Sequence, residues 1–248
     1  MEIRKNLVKE RLASGESAFV VSGFYDSDSI DQFGPNKFDG IWLEGEHGNV
    51  DFSNLSDYTR ACDLWGLTSI VRINMNEPGV VYRTLDRGAQ GLALPHVNTR
   101  EEAERFVDAA KFAPIGNRGM FISRQGYGVE NYLQIANEQT LLIVLIEDIV
   151  AVNNLDEILK VDHIDVFFVA PNDLAASMGY IGQPNHQDVQ AVLNESLARI
   201  QDAGRISGTL ATDKTVSDYQ QAGVKFMMLG IGPWLQNSAQ NFLAKAGR

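Results

Sequence analysis

Leu142-Ile143-Val144-Leu145-Ile146-Glu147-Asp148 and, one helix length further on, Val166-Phe167-Phe168-Val169-Ala170-Pro171-Asn172-Asp173-Leu174 decide how this chain is read. Each is an unbroken apolar run that ends on carboxylates. Runs of Val, Ile, Leu and Phe without polar alternation are strands covered on both faces, the habit of parallel sheets. The segment between them holds one crossover helix, so the two strands are consecutive and parallel. Glu147 and Asp173 then stand at neighbouring strand ends, where the core opens to solvent. Hard divalent cations bind oxygen, often through one or two protein carboxylates with water and substrate oxygens completing the shell. The pair is therefore a candidate site for Mg²⁺, Mn²⁺ or Co²⁺. The alternative is that each acid caps the helix that follows it. The two runs alone leave both readings open.

The same alternation extends in both directions. Strands are predicted at Ala18–Gly23, Phe38–Leu43, Ser69–Ile73 and Gly91–Pro95 before the quoted pair, and at Ile206–Leu210 and Phe226–Gly230 after it. Helical spacing is predicted from Asp51 or Ser53 as N-cap to Gly66, over Pro78–Arg87 with Gly88 as the stop, and from Thr99 to about Phe112. It returns near Tyr132, over Leu155–Leu159, Val189–Ala203 and Trp234–Lys245. Thr99-Arg100-Glu101-Glu102 is a capping-box signature. Eight strands alternating with helices in one domain spanning residues 1–248 predict an α/β fold, a single-domain (β/α)8 TIM barrel. A doubly wound open sheet would show a Gly-rich dinucleotide turn after the first strand, and Ser22-Gly23-Phe24-Tyr25 is not one. The stretch from Pro114 to Gly128 breaks the rhythm; loops of that length in compact domains are commonly lids or binding loops.

Composition narrows the partners. Thirty-two Asp and Glu against 21 Lys and Arg give a net charge of −11, which disfavours nucleic acid and anionic membranes. The single cysteine, Cys62, excludes a disulfide framework or a cysteine-rich metal site. No apolar run reaches membrane-spanning length, and Met1–Asn6 lacks the apolar stretch of a signal peptide. A cytoplasmic protein acting on small molecules is expected.

In this barrel the active site forms at the carboxyl ends of the strands. The second strand places Glu44, Glu46 and His47 there, the third Arg72 and Asn74, the fourth Pro95 and His96. The fifth adds Glu147 and Asp148, the sixth Asn172 and Asp173. The set contains a base, a fixed cation and two metal-type carboxylates. No lysine stands at a strand tip, which counts against Schiff-base chemistry.

Together, Glu44-Gly45-Glu46-His47-Gly48, Val71-Arg72, Leu85–Gly91, Pro114–Gly119 and Ala170-Pro171-Asn172-Asp173-Leu174-Ala175-Ala176-Ser177-Met178-Gly179 resemble the HpcH/HpaI family over nearly the whole chain. These are metal-dependent, class II pyruvate aldolases. The resemblance implies a hexameric barrel, a trimer of dimers, with a divalent cation held by Glu147 and Asp173. It implies that His47 acts as base, with Asp86 raising its basicity and Glu44 beside it. It implies that Arg72 binds the keto acid and stabilises its enolate, and that Pro171, Asn172, Asp173 and Leu174 receive the pyruvate carboxylate. Keto-acid and aldehyde substrates follow. Three positions depart from the family pattern. Glu44 stands where Asp is frequent, Asn172 where alanine is common, and Leu145 where a glutamine commonly precedes the metal glutamate by two positions. Leu145 removes a polar group beside metal and substrate, so the departures bear on substrate choice. Two other readings share the scaffold: a lyase or decarboxylase for a coenzyme A thioester or keto acid, and a non-catalytic keto-acid binder. The scarcity of basic residues at the strand tips argues against the phosphates of coenzyme A.

Overall fold

The computed structural model describes all residues, 1–248. Its eight parallel strands close into a barrel in sequence order, β1-β2-β3-β4-β5-β6-β7-β8. The strands are β1 Ala18–Ser22, β2 Gly40–Glu44, β3 Thr68–Arg72, β4 Gly91–Leu94, β5 Leu141–Ile146, β6 Val166–Val169, β7 Ser207–Leu210 and β8 Phe226–Gly230. Closure leaves no unpaired edge: β1 pairs with β8 from Ala18 opposite Phe226 to Ser22 opposite Gly230. The predicted eight-stranded barrel is therefore the observed fold.

Twelve α-helices surround it: α1 Leu7–Ala13, α2 Ser27–Phe33, α3 Leu55–Leu64, α4 Pro78–Asp86, α5 Arg100–Ala110, α6 Tyr132–Gln139, α7 Ile149–Asn153, α8 Leu155–Ile158, α9 Pro171–Ser177, α10 Gln187–Asp202, α11 Val216–Gln221 and α12 Ile231–Lys245. Thr99 and Glu102 form the predicted capping box, each side chain accepting the other's backbone N–H at 3.2 and 3.0 Å. The start of α3 differs from expectation. Asn54, not Asp51 or Ser53, holds the cap position. The Asp51 carboxylate instead accepts from Ser53 N and Oγ in a local turn, the usual competitor to a cap for a short polar side chain.

Two large apolar cores result, beside a small cluster of Phe112, Tyr132 and Ala136. The outer one lies between strands and helices and includes Leu43, Val71, Val144 and Phe167. The inner one fills the barrel with Val20, Trp42, Ile70, Ile143, Leu145, Val166, Phe168 and Phe226. Period-2 alternation along each strand divides the residues between them. Helix α1, which the sequence pattern did not reveal, closes the amino-terminal end of the barrel. Val8 and Leu12 join the inner core. The Asn6 amide donates to the carbonyls of Gln90 and Gln139 at 3.1 and 3.0 Å, while its oxygen receives Thr68 Oγ1 at 3.1 Å. With that end sealed, the barrel opens only at its carboxyl face. No helix is long and apolar enough to cross a membrane. Cys62 is fully buried and its thiol is pushed up to about 12 by burial, so it is a packing residue rather than a nucleophile.

Candidate active site

The carboxyl face carries a charged ring over an apolar floor. Glu44 ends β2 and Arg72 ends β3, and the strand register sets them side by side. Arg72 Nε donates to both Glu44 carboxylate oxygens at 3.0 and 2.8 Å, and Nη2 lies 2.8 Å from Glu44 Oε2. Glu44 Oε1 also accepts the backbone N–H groups of Glu46 and His47 at 2.9 and 3.1 Å. Burial works against the Glu44 charge, but Arg72 and those amides outweigh it and hold the carboxyl below its ordinary range. Burial likewise opposes the Arg72 charge, and Glu44, Glu46 and Glu147 outweigh it in turn. The planar guanidinium suits this two-sided clamp as no lysine would.

Glu46 completes the clamp. Its Oε2 stands 3.0 Å from Arg72 Nη1 and 3.7 Å from His47 Nε2, yet makes no hydrogen bond. Its other oxygen lies 3.9 Å from His96 Nε2. The sequence places Glu46 at the strand tip, but nothing in its spacing shows that it faces Arg72 and two imidazoles at once. His47 follows on an exposed turn, its side chain 69% accessible.

Glu147, just past β5, is only 1% exposed. Its Oε1 accepts the His96 backbone N–H at 2.7 Å. His96 reaches it by adopting a left-handed φ of +52°, a conformation rare outside glycine and frequent at functional sites. Glu147 Oε2 is buried with no partner. Burial pushes the Glu147 carboxyl up to about 7, and the neighbouring Asp173 charge adds to the shift. The His96 ring sits 3.0 Å from Asp148 and 3.5 Å from Glu147. Burial lowers its basicity, but these carboxylates outweigh burial and hold it above the ordinary histidine value. An orphaned buried carboxylate oxygen beside a second carboxylate fits an oxygen-liganded cation. No group of three or more metal-type side chains is present, so a cation here would complete its shell with water or substrate.

Asp173 lies in the first turn of α9 and, with Glu44, Arg72, Pro171 and Asn172, lines one cavity of ≈ 230 Å³. Its remaining walls are Ser22, Trp42, Leu145, Phe168, Ala170, Leu210 and Met228; no lysine is among them. The first-turn N–H groups of Asn172 and Asp173 have no intrahelical acceptor. Leu174 does not belong to this wall. Its side chain is fully buried in the outer core and its N–H is spent on Ala170 O at 3.1 Å. A leucine one turn into a helix takes the core side, which its place in the motif did not reveal.

Asp86 is also placed differently from expectation within a single chain. It ends α4, and helices run antiparallel to the strands, so it sits at the amino-terminal end of the barrel while His47 sits at the other. Its partner is buried Arg118, at 2.7 Å. The long stretch after α5 is fastened to the same end. Arg124 bonds Asp63 and Thr59, and Gln125 donates to Gly88 O at 2.6 Å. Gly88, with φ +103°, leaves room for the Arg124 guanidinium where a side chain would collide. This loop is consequently no lid over its own chain's cavity; Arg118 and Arg124 order it.

Residues 21–231 match the HpcH/HpaI aldolase/citrate lyase family. The chain belongs to that family. A hydroxypyruvate/pyruvate aldolase of Roseobacter denitrificans is 33% identical over 247 residues, covering 97% of this chain and 96% of that one. A 2-keto-3-deoxy-L-rhamnonate aldolase of Klebsiella pneumoniae is 35% identical over 208 residues, covering 82% and 78%. Among solved structures, an HpcH/HpaI aldolase/citrate lyase family protein of Burkholderia cenocepacia superposes with a TM-score of 0.91 at 28% identity, covering 98% of this chain and all of that one. The protein is thus an enzyme of the aldolase class, and small keto acids are its kind of substrate.

Proposed function

We propose that the chain reversibly cleaves a 4-hydroxy-2-oxo acid to pyruvate and an aldehyde through a pyruvate enolate. The observation that carries this reading is a lysine-free cavity lined by Arg72 and Asp173, with the half-satisfied buried Glu147 close enough to feel both charges. Glu147 and Asp173 would hold a divalent cation. When bound, it supplies Lewis-acid stabilisation of charge on the 2-oxo oxygen, worth several kcal/mol. Arg72, fixed by Glu44 and Glu46, presents its remaining N–H groups to the substrate carboxylate and the developing enolate oxygen. His47 accepts the proton of the 4-hydroxyl as the C3–C4 bond breaks, and the electrons of that bond become the enolate. A proton returned to C3 yields pyruvate. The N–H groups of Asn172 and Asp173 are further donors for the pyruvate carboxylate.

The reading is tested without knowing the aldehyde. Pyruvate methyl protons are expected to exchange in deuterated buffer with added Mg²⁺, to stop exchanging with chelator, and to exchange far more slowly in His47→Ala. Bound pyruvate that never exchanges, with Mg²⁺, Mn²⁺ or Co²⁺, overturns it in favour of a keto-acid-binding protein.

A homo-oligomer, a hexamer by family resemblance, acting in the cytoplasm is part of the same proposal. Helix α12 supports it: none of its residues is buried, and Leu235, Phe242 and Leu243 stand 63%, 71% and 40% exposed. Such a row is ordinarily covered. Size-exclusion chromatography with light scattering is expected to show a mass several times the 27.4 kDa of one chain; a stable monomer overturns this part.

A further inference from the structure

We infer that the cavity floor selects the 2-oxo acid by its third carbon, accepting an alkyl group there and discriminating against a hydroxyl, with Leu145 as the main determinant. The inference rests on the aldolase reading and adds the class of donor.

The floor follows from strand alternation. Side chains two residues apart point the same way, so each residue at a strand's end stands directly above an inward neighbour. Trp42 lies two before Glu44, Leu145 two before Glu147, Phe168 two before Ala170, and Met228 two before Gly230. These four, with Leu210, line the cavity. Leu145 pairs in register with Phe168, whose ring lies 5.8 Å from Trp42 and 6.1 Å from Phe226. Leu145 is 1% exposed and Phe168 2%, so this wall is packed hydrocarbon and offers a hydroxyl no hydrogen-bonding partner.

The polar groups of the cavity are already engaged or stand away from Leu145. Glu44 and Arg72 are committed to each other and Glu46. The Ser22 hydroxyl donates to Leu229 O at 3.2 Å, and β1 lies four strands from β5, on the opposite side of the ring. A bound 2-oxo acid has two polar ends to match with the charged ring, its carboxylate and its 2-oxo oxygen. The third carbon and its substituent are what remain for Leu145, Phe168, Trp42 and Met228. A methyl or ethyl terminus gains contact there. A hydroxyl loses its water without gaining a partner.

The consequence is read in C3-proton exchange, which needs no aldehyde. Pyruvate, 2-oxobutanoate and hydroxypyruvate are compared with Mg²⁺ in deuterated buffer, for the wild-type chain and for Leu145→Gln and Leu145→Met. Hydrophobic pockets discriminate by about tenfold to a hundredfold per group. Leu145→Gln is therefore expected to raise the hydroxypyruvate-to-2-oxobutanoate ratio of exchange rate over half-saturation by about tenfold or more, and Leu145→Met to leave the wild-type ranking in place. Intrinsic acidities of the three donors cancel in that ratio of ratios. If Leu145→Gln does not fold by circular dichroism, Met228→Gln, on the less buried side of the floor, carries the same expectation. An unchanged ratio in a folded glutamine variant overturns the inference while leaving the aldolase reading intact. Absence of exchange with all three donors overturns the aldolase reading, and the inference with it.

Discussion

Arg72→Ala is expected to lower kcat by about 10²–10³-fold, the usual cost of removing a preorganised donor from developing oxyanion charge. Arg72→Lys is expected to recover only a small part of it. The argument lies in how the guanidinium is held. Its Nε and Nη2 edge is taken by Glu44 and its Nη1 faces Glu46. Three nitrogens in one plane are therefore fixed in direction, and the remaining N–H bonds point into the cavity without further ordering. An ammonium group is a compact charge on a flexible stem and lacks the planar fork that fixes these directions. The same substitution releases Glu44. Without Arg72, burial is left as the dominant influence on that carboxyl, so Arg72→Ala also moves its titration upward. Steady-state kinetics with circular dichroism, and a pH profile of the variant, test both halves. Full kcat in Arg72→Lys would remove the fork geometry from the mechanism and leave only its charge.

The strand framework and most of the ring were readable because they obey short-range rules. Unbroken apolar runs announce parallel strands, and in a barrel a charged residue at the end of such a run has one place to go. That logic brought Glu44, Arg72, Glu147 and Asp173 to the same face; Glu44, Arg72 and Asp173 line one cavity there, and Glu147 directly follows the carboxyl end of β5. What escaped has a common cause. The clamp of Glu46 on Arg72, and the left-handed turn that delivers the His96 N–H to Glu147, depend on loop conformation, and loops carry no period. Asp86 shows the same limit from the other side: its motif suggests the active site, but direction of travel along α4 carries it to the far end of the barrel and onto Arg118. The floor residues Trp42 and Leu145 were legible in principle, since counting back two from each strand-end acid finds them.

Glu147→Gln combined with Asp173→Asn is expected to abolish both cation binding and turnover while circular dichroism stays that of the wild type. The single change Glu147→Gln should also raise the thermal stability of the cation-free protein above neutral pH. Both follow from the same buried oxygen. The Glu147 carboxyl is pushed up to about 7 from an ordinary 4.5. Between those values the folded chain holds a proton that the unfolded chain has released, so stability falls as pH rises from about 4.5 to about 7 and stays lowered above that. The loss reaches a few kcal/mol. It is the cost of a buried carboxylate whose Oε2 has no partner. Glutamine removes the charge and keeps the acceptor for the His96 N–H. A bound divalent cation offsets the same cost in the wild type, because it binds the ionised form. Thermal shifts on adding Mg²⁺ should therefore be larger at pH 8 than at pH 5.5 in the wild type and absent at both in the double variant. Full activity in the double variant, or Mg²⁺ shifts as large at pH 5.5 as at pH 8, would mean that Glu147 is a structural acid and that the cation, if the reaction uses one, is held elsewhere.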